Sequence, residues 1–202
     1  DGYVNVRTGK EAGSKMTDTL KNGHLIFCFE NEGNRTNIDY SRNGKELNGF
    51  VYKDRYTMIS SYPSISIPKN EPNSVTLSKD SIEVVVTQKL FDKRNHKYTY
   101  FKEDKTQIEL IDNKKYWGTD GGMPAIEYSS IIIKAGSKSF QLPQLALKNL
   151  FEPNLYNTEV NFDAENNILY IQSMNSDGAG AYHVIWKVEN GIYKERYIAY
   201  GF

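Results

Sequence analysis

The stretch Y-H-V-I-W-K-V-E-N-G-I-Y-K-E-R-Y-I-A-Y, from Tyr182 to Tyr200, carries the clearest structural signal in the sequence. Before Asn190, large apolar residues occupy every second position, at Tyr182, Val184, Trp186 and Val188. This period of two is typical of a strand with one buried face. The Asn-Gly pair at 190 and 191 favours a type I′ turn, because both central positions of that turn need a positive φ. We therefore predict a β-hairpin in which Trp186 belongs to the core.

Similar patterns precede this hairpin. Short polar turns separate several of the predicted strands, which favours antiparallel hairpins over parallel crossovers. These strands cover residues 82–91, 98–102, 107–111 and 168–174. One helix is predicted from Leu142 to Phe151, because Pro143 suits a first helical turn and apolar residues recur on one face. We expect an antiparallel β-sheet domain with one short helix over residues 75–202.

The first sixty residues also contain short strands. Residues 25–30 alternate with a period of two, and Asn-Gly pairs at 43–44 and 48–49 predict turns. This pattern indicates a small barrel over residues 1–62. The chain is therefore predicted to be mostly β.

A proline-rich stretch follows this first segment. Pro63, Pro68 and Pro72 are three of the six prolines in the chain. Proline fixes φ and lacks an amide donor, so it interrupts central strands. We expect a linker over residues 63–74 that separates two cores.

Composition limits the class of partner. Lys plus Arg number 25, as do Asp plus Glu, so no net basic field attracts nucleic acid. The longest aliphatic run, Ile131 to Ile133, is far shorter than the roughly 20 apolar residues of a membrane helix. We expect neither nucleic-acid binding nor a membrane span. A strand-like pattern begins at Tyr3 without a leader, so we also expect a mature protein from which a signal peptide has been removed.

Three motifs lie in a fixed order within the first sixty residues. They are Y-V-N-V-R at 3–7, D-T-L-K-N-G at 18–23 and N-G-F-V-Y at 48–52. The first resembles the opening strand of a bacterial SH3 (SH3b) domain, the second resembles its turn into the next strand, and the third resembles its closing Gly-Trp-Val element. The resemblance implies an SH3-like barrel that works outside the cytoplasm, in the periplasm or at the cell surface.

Side chains in these motifs have distinct expected roles. Val4 and Val6 alternate along a strand and should face inward. Arg7 should leave the strand and donate its guanidinium hydrogens to carbonyls of neighbouring loops. Two residues depart from the family pattern: Arg35 stands where many members carry Trp, and Phe50 replaces the Trp of the closing element. Aromatic groove residues are common in SH3-type ligand binding, so both replacements change the expected groove.

The single cysteine, Cys28, is the first candidate nucleophile, since SH3b domains often accompany cysteine peptidases. It lies between Phe27 and Phe29 on a predicted strand, where apolar surroundings raise the pKa of a thiol and make it unreactive. We expect Cys28 to be structural.

Other catalytic and metal-binding patterns are weak. The histidines His24, His96 and His183 lack a close metal-ligand spacing. Ser176, Asp177 and His183 could be combined into a triad, but no G-x-S-x-G motif accompanies them. We expect no catalytic residue, no metal site and no cofactor.

Two glycine-rich loops are the most distinctive segments of the second half. They are Y-W-G-T-D-G-G-M-P, residues 116–124, and N-S-D-G-A-G-A-Y, residues 175–182. Glycines and aspartates serve tight turns, which is one explanation for both loops. The other is that the loops meet at one end of the sheet and form a recognition surface. The predicted binding residues are Trp117, Asp120, Asp177 and Tyr182.

These patterns together favour a non-catalytic extracytoplasmic binding protein. Its expected partner is cell-wall material, such as a cell-wall peptide, or a protein associated with the cell wall. One alternative is a periplasmic immunity or inhibitor protein that blocks a cell-wall-degrading enzyme with a loop. A second alternative is a hydrolase with an unrecognised site.

Overall fold

The computed structural model describes residues 2–200 and divides the chain into two compact units. The first unit ends at Ser61 and the second begins at Tyr62. Both consist mostly of antiparallel β-sheets, so the predicted β class is confirmed. Over residues 2–200, helical structure is confined to short 3-10 turns, and no helix is long and apolar enough to cross a membrane.

The first unit contains one five-stranded sheet. Its strands are β1 (Tyr3–Arg7), β2 (Met16–Lys21), β3 (Ile26–Glu32), β4 (Arg35–Arg42) and β5 (Lys45–Tyr52). The spatial order is β2-β1-β5-β4-β3, and a 3-10 turn covers Ile59–Ser61. Because β2 and β3 lie at its edges, the sheet formed by the described strands is open and does not close into a barrel.

The two Asn-Gly pairs of this unit behave differently. The turn predicted at Asn43 and Gly44 is confirmed, and their φ values of 53° and 74° are those that a type I′ turn requires. The turn predicted at Asn48 and Gly49 is wrong, because both residues lie inside β5. A Cβ on Gly49 would lie 2.4 Å from Val6 Cγ1, so this glycine lets β5 approach β1 closely.

The core of the first unit lies on one face of its sheet. Buried residues of this core are Val6, Leu20, Ile38, Tyr40 and Val51. From β3, Ile26 and Cys28 pack against it, whereas Phe29 is 44% exposed and contacts Phe27 edge to face. Ile26 and Cys28 of the predicted alternation thus face the core, but no residue of β3 is fully buried, so the expected well-buried face is absent from this strand.

The second unit contains the remaining strands. They are β6 (Ile67–Glu71), β7 (Ser74–Lys79), β8 (Ile82–Leu90), β9 (Tyr98–Tyr100), β10 (Ile108–Ile111), β11 (Ile126–Ala135), β12 (Lys138–Gln141), β13 (Thr158–Asp163), β14 (Ile168–Asn175), β15 (Tyr182–Glu189) and β16 (Ile192–Tyr200). Single 3-10 turns cover Lys93–Asn95, Gln144–Ala146, Leu155–Asn157 and Gly178–Gly180.

Two sheets of this unit share one core. Their strand orders are β12-β11-β8-β7-β6 and β13-β14-β15-β16, while β9 and β10 form a separate hairpin. The hairpin expected between the strands at 82–91 and 98–102 does not form, because β8 pairs with β7 and β11. The predicted C-terminal hairpin is confirmed: Asn190 and Gly191 have φ values of 53° and 74°. Trp186 is fully buried, and its Nε1 donates to Ala146 O at 2.8 Å.

The proline-rich stretch expected to be a linker lies largely within the second unit's sheet. Residues 67–71 form β6, which pairs with β7, and Ser64 forms a bridge with Asn161. Pro68 is tolerated because β6 is an edge strand, where a missing amide hydrogen can face away from the sheet. The boundary between the compact units lies just before this stretch.

The helix predicted from Leu142 to Phe151 is wrong. Only Gln144–Ala146 forms a 3-10 turn there, Asn149 has a φ of 64°, and Phe151 N donates to Trp117 O at 2.9 Å. The segment is irregular backbone packed against the core, and this packing buries its apolar residues. Tertiary burial thus produced an apolar pattern that resembled one face of a helix.

Candidate functional site

The two glycine-rich loops of the second unit lie side by side. Ser176 Oγ donates to Gly118 O at 2.7 Å. A Cβ on Gly180 would lie 3.1 Å from Gly118 C and from Thr119 Cα, so the two backbones pack directly against each other. The structure therefore brings the loops together at one place, as a shared surface requires.

Gly118 is essential to this arrangement. Its φ is 114°, and a Cβ at this position would lie 2.2 Å from Phe151 O. Nearby, Ser176 and Glu152 also adopt positive φ values, of 59° and 50°. Such backbone is unfavourable for residues other than glycine and is retained where the surroundings enforce it. Gly118 and Gly180 thus serve the packing of the loops against each other and against the core.

An open cleft of about 790 Å³ lies where the loops meet. We call it the two-loop cleft. Its walls comprise residues 118–120, 176–180, 152–156 and 70–72, together with Ser74 and Gln88. Four segments and two single residues of the second unit therefore contribute to one concave surface.

The predicted binding residues divide into two pairs. Asp120 and Asp177 are exposed and line the two-loop cleft. Tyr182 is fully buried, and its hydroxyl donates to Phe151 O at 2.9 Å, so its predicted surface position is wrong. Trp117 is half-buried and packs against the core, with its ring centroid 6.1 Å from that of Tyr182. The two aromatic residues support the loops from behind the cleft.

Sequence reasoning missed several residues of this cleft. Glu71 belongs to the stretch expected to be a linker, whereas Glu152, Asn154 and Tyr156 follow the segment mistaken for a helix. Glu152 Oε1 accepts hydrogen bonds from the backbone of Ala125 and Ile126. The polar residues that directly follow the apolar segment 142–151 could have indicated a surface site. Their position depends on an irregular backbone, however, which the sequence pattern did not indicate.

The cleft is acidic. Its charged lining residues are Glu71, Asp120, Glu152 and Asp177, and no Lys, Arg or His belongs to the lining. Lys69 Nζ lies 2.9 Å from Glu71 Oε1, and this contact lowers the pKa of Glu71. Neither Asp120 nor Asp177 forms an ion pair with another residue between positions 2 and 200. The concave surface therefore suits a positively charged group.

A buried amide holds the base of the cleft together. Asn175 is fully buried, and its Oδ1 accepts hydrogen bonds from Tyr128 OH at 2.9 Å, Ser173 Oγ at 2.9 Å and Asn154 N at 2.8 Å. Burial also raises the pKa of Tyr128, so this hydroxyl stays protonated as a donor. Because one side-chain oxygen joins the second loop to the 152–156 segment, the cleft has a fixed floor.

The first unit has its own cleft, of about 460 Å³, beside Arg35. Arg35 is only 2% exposed, and its Nη1 donates to Gly9 O at 2.7 Å and to Glu11 O at 2.8 Å. Its guanidinium carbon lies 4.8 Å from the ring centroid of Tyr52. Arg35 therefore ties the β1–β2 loop to β4 and packs on an aromatic ring.

Two of the candidate nucleophiles, Cys28 and Ser176, are held in structural contacts. Cys28 is half-buried on β3, and burial raises the pKa of its thiol to about 11. The Ser176 hydroxyl donates to Gly118 O. Over residues 2–200, no group of three or more His, Cys, Asp and Glu side chains is placed to hold a metal ion. Comparisons with protein-family models, with curated proteins and with solved structures find no match to this chain.

Proposed function

We propose that this chain is a non-catalytic binding protein whose second unit binds its partner at the two-loop cleft. The observation that carries the proposal is the position of Asp120 and Asp177, which two different loops present on one concave surface without an ion-pair partner among the described residues. A carboxylate pair of this kind attracts an ammonium or guanidinium group. The proposed partner is cell-wall material, such as a cell-wall peptide, or a cell-wall-associated protein that presents such a group.

The rigidity of the cleft supports recognition. Loop backbones that pack directly on each other, and a floor joined through Asn175, leave little conformational freedom to lose on binding. Preorganisation of this kind increases affinity because less ordering entropy opposes association. Exposed Tyr156, 76% accessible at the rim, adds a large contact area at low entropy cost.

The first unit is proposed to be an SH3b-like module. Three contacts at the family-like motifs support this: Val6 is fully buried, Arg7 Nη1 donates to Ser14 O at 2.6 Å, and Gly49 allows close pairing of β5 with β1. The Arg7 guanidinium thus donates to a carbonyl of the β1–β2 loop, whereas Arg7 itself stays within β1 and does not leave the strand as expected. The SH3b resemblance is the basis for proposing that the protein works in the periplasm or at the cell surface.

The shape of the site also bears on the inhibitor alternative. An inhibitor that plugs an enzyme cleft needs a projecting loop, whereas residues 118–120 and 176–180 form walls of a concavity. A concave acidic surface favours a partner that inserts a basic group into it. We therefore place the binding function first.

Retention of the full chain on purified cell-wall sacculi tests this proposal. We expect the double variant Asp120→Asn, Asp177→Asn to be retained roughly tenfold less well, because an exposed charge pair contributes to association without contributing to folding. Glu165→Gln is the matched control, since Glu165 is an exposed carboxylate of the same unit that does not line the cleft. Equal retention of all three proteins, or equal loss in the control, would contradict the proposal.

A further inference from the structure

A second cleft lies on the face of the β13–β14–β15 sheet that points away from the core. Its volume is about 420 Å³. Its lining residues are Tyr156, Asn157, Glu159, Gln172, Met174 and His183. Along the strands, Glu159, Gln172 and His183 alternate with core residues, so they belong to the outer face. We call this concavity the polar cleft.

The polar cleft offers hydrogen-bond acceptors that the fold does not use. Gln172 Nε2 donates to Glu159 Oε2 at 3.1 Å, and Asn157 Nδ2 donates to Met174 O at 3.2 Å. The remaining oxygens of these three side chains, Gln172 Oε1, Glu159 Oε1 and Asn157 Oδ1, have no partner among residues 2–200. All three lie on residues that line the cleft.

His183 adds a further unused group. Its imidazole is half-buried, yet neither ring nitrogen makes a hydrogen bond within the described part of the chain. Burial lowers the pKa of His183, so the ring is neutral near pH 7 and has one donor and one acceptor nitrogen. Both ring nitrogens of His183 are therefore available to a ligand or to water.

These groups define the chemistry of a ligand. The cleft has several hydrogen-bond acceptors but only one carboxylate. Such a surface suits a ligand that has many hydrogen-bond donors and little charge, and hydroxyl groups are donors of this kind. Tyr156 supplies an exposed aromatic surface at the edge of the same cleft. A sugar ring presents hydroxyls around its rim and an apolar C–H face. We propose that the polar cleft binds a pyranose ring of a glycan, with Tyr156 against the apolar face and Glu159, Gln172 and His183 on the hydroxyls.

A peptide fits this place less well. Peptides commonly bind sheets by pairing with an open strand edge. The outer edge of β13 is already paired, since Ile65 N donates to Val160 O at 2.8 Å and Phe162 N donates to Pro63 O at 3.0 Å. The available groups in the polar cleft are therefore side chains, which favours a hydroxylated ligand.

The inference deepens the proposed function and rests on it in one respect, the assignment of the glycan to the cell wall. Tyr156 lines both the polar cleft and the two-loop cleft. A glycan bound at Tyr156 would therefore lie beside a cationic group held by Asp120 and Asp177. One cell-wall fragment that carries both a sugar and an amine could occupy both clefts.

Titration of the isotopically labelled full chain with a β-linked N-acetylglucosamine tetrasaccharide tests the inference. We expect nuclear magnetic resonance shifts at Tyr156, Gln172 and His183, and roughly tenfold weaker binding in Tyr156→Ala. Tyr100→Ala is the matched control, because Tyr100 is 42% exposed in the same unit and lines neither cleft. The control should bind like the unaltered protein.

Three results would overturn the inference: no binding of the tetrasaccharide, unchanged affinity in Tyr156→Ala, or the same shifts with an uncharged tripeptide. Failure here is separable from failure of the proposed function. Suppose that the protein is still retained on sacculi through Asp120 and Asp177, but the tetrasaccharide does not bind. Only the glycan site is then refuted.

Discussion

The loops that line the clefts of the two units are fixed in position by different kinds of contact. In the first unit a charged side chain holds the β1–β2 loop in place. Arg35, which is 2% exposed, donates hydrogen bonds to two carbonyls of that loop. In the two-loop cleft, Gly118 and Gly180 bring backbone against backbone, and the charges of Asp120 and Asp177 stay exposed. A charge used to fix a loop is lost to recognition, whereas loops fixed by glycine packing leave their charges available to a partner.

The largest expected effect tests the glycine packing. Gly118→Ala should lower the free energy of unfolding by about 3 kcal/mol or more, because the φ of 114° and the approach of Phe151 O leave no room for a Cβ. Gly122→Ala is the matched control in the same loop, since an added Cβ there meets nothing within 4 Å. Urea denaturation measures both variants, and equal stability of the two would show that close packing does not hold this loop.

A smaller effect is expected from the charge in the first unit. Arg35→Met should lower the free energy of unfolding by about 2 kcal/mol, because it removes the charged hydrogen bonds to Gly9 and Glu11. Arg94→Met should cause no measurable change, because Arg94 is exposed and bonds only to nearby Asp92. Thermal unfolding followed by circular dichroism compares them, and an equal loss in both variants would contradict a special role for Arg35.

The smallest effect concerns His183, whose polar ring is half-buried without a described partner. Burial lowers the pKa of His183 in the folded protein, so the unfolded chain binds the proton more readily. Stability should therefore fall as the pH decreases through the unfolded pKa of 6.5 towards the lower folded pKa. His183→Gln should show a shallower decrease over that pH range in urea denaturation. An identical pH dependence in both proteins would show that His183 titrates alike in the folded and unfolded chain.

The contrast between the clefts could be predicted only in part from the sequence. Alternation and the Asn-Gly turn correctly indicated the C-terminal hairpin and the buried Trp186. The same alternation also assigned Tyr182 to the face of Trp186, yet its place at the start of the strand suggested a surface position. The two loops do meet, as one of the two explanations for their glycines and aspartates required.

Other walls of the two-loop cleft were not predictable in this way. Residues 152–156 follow an irregular apolar segment whose burial by two sheets produced a helix-like pattern. Residues 70–72 lie at the end of an edge strand where proline is tolerated, so proline content indicated a linker. In both cases the position of the segment is set by long-range packing, which local patterns do not report.

The most direct test of the central claim is whether the exposed carboxylates of the two-loop cleft bind a cationic group. The full chain, labelled for nuclear magnetic resonance, is titrated with a lysine tripeptide and with the same peptide acetylated on every amine. We expect shifts at residues 118–120, 152–156 and 176–180 with the charged peptide alone, and their loss in the Asp120→Asn, Asp177→Asn variant. Equal shifts with both peptides, or shifts that persist in the double variant, would contradict the claim.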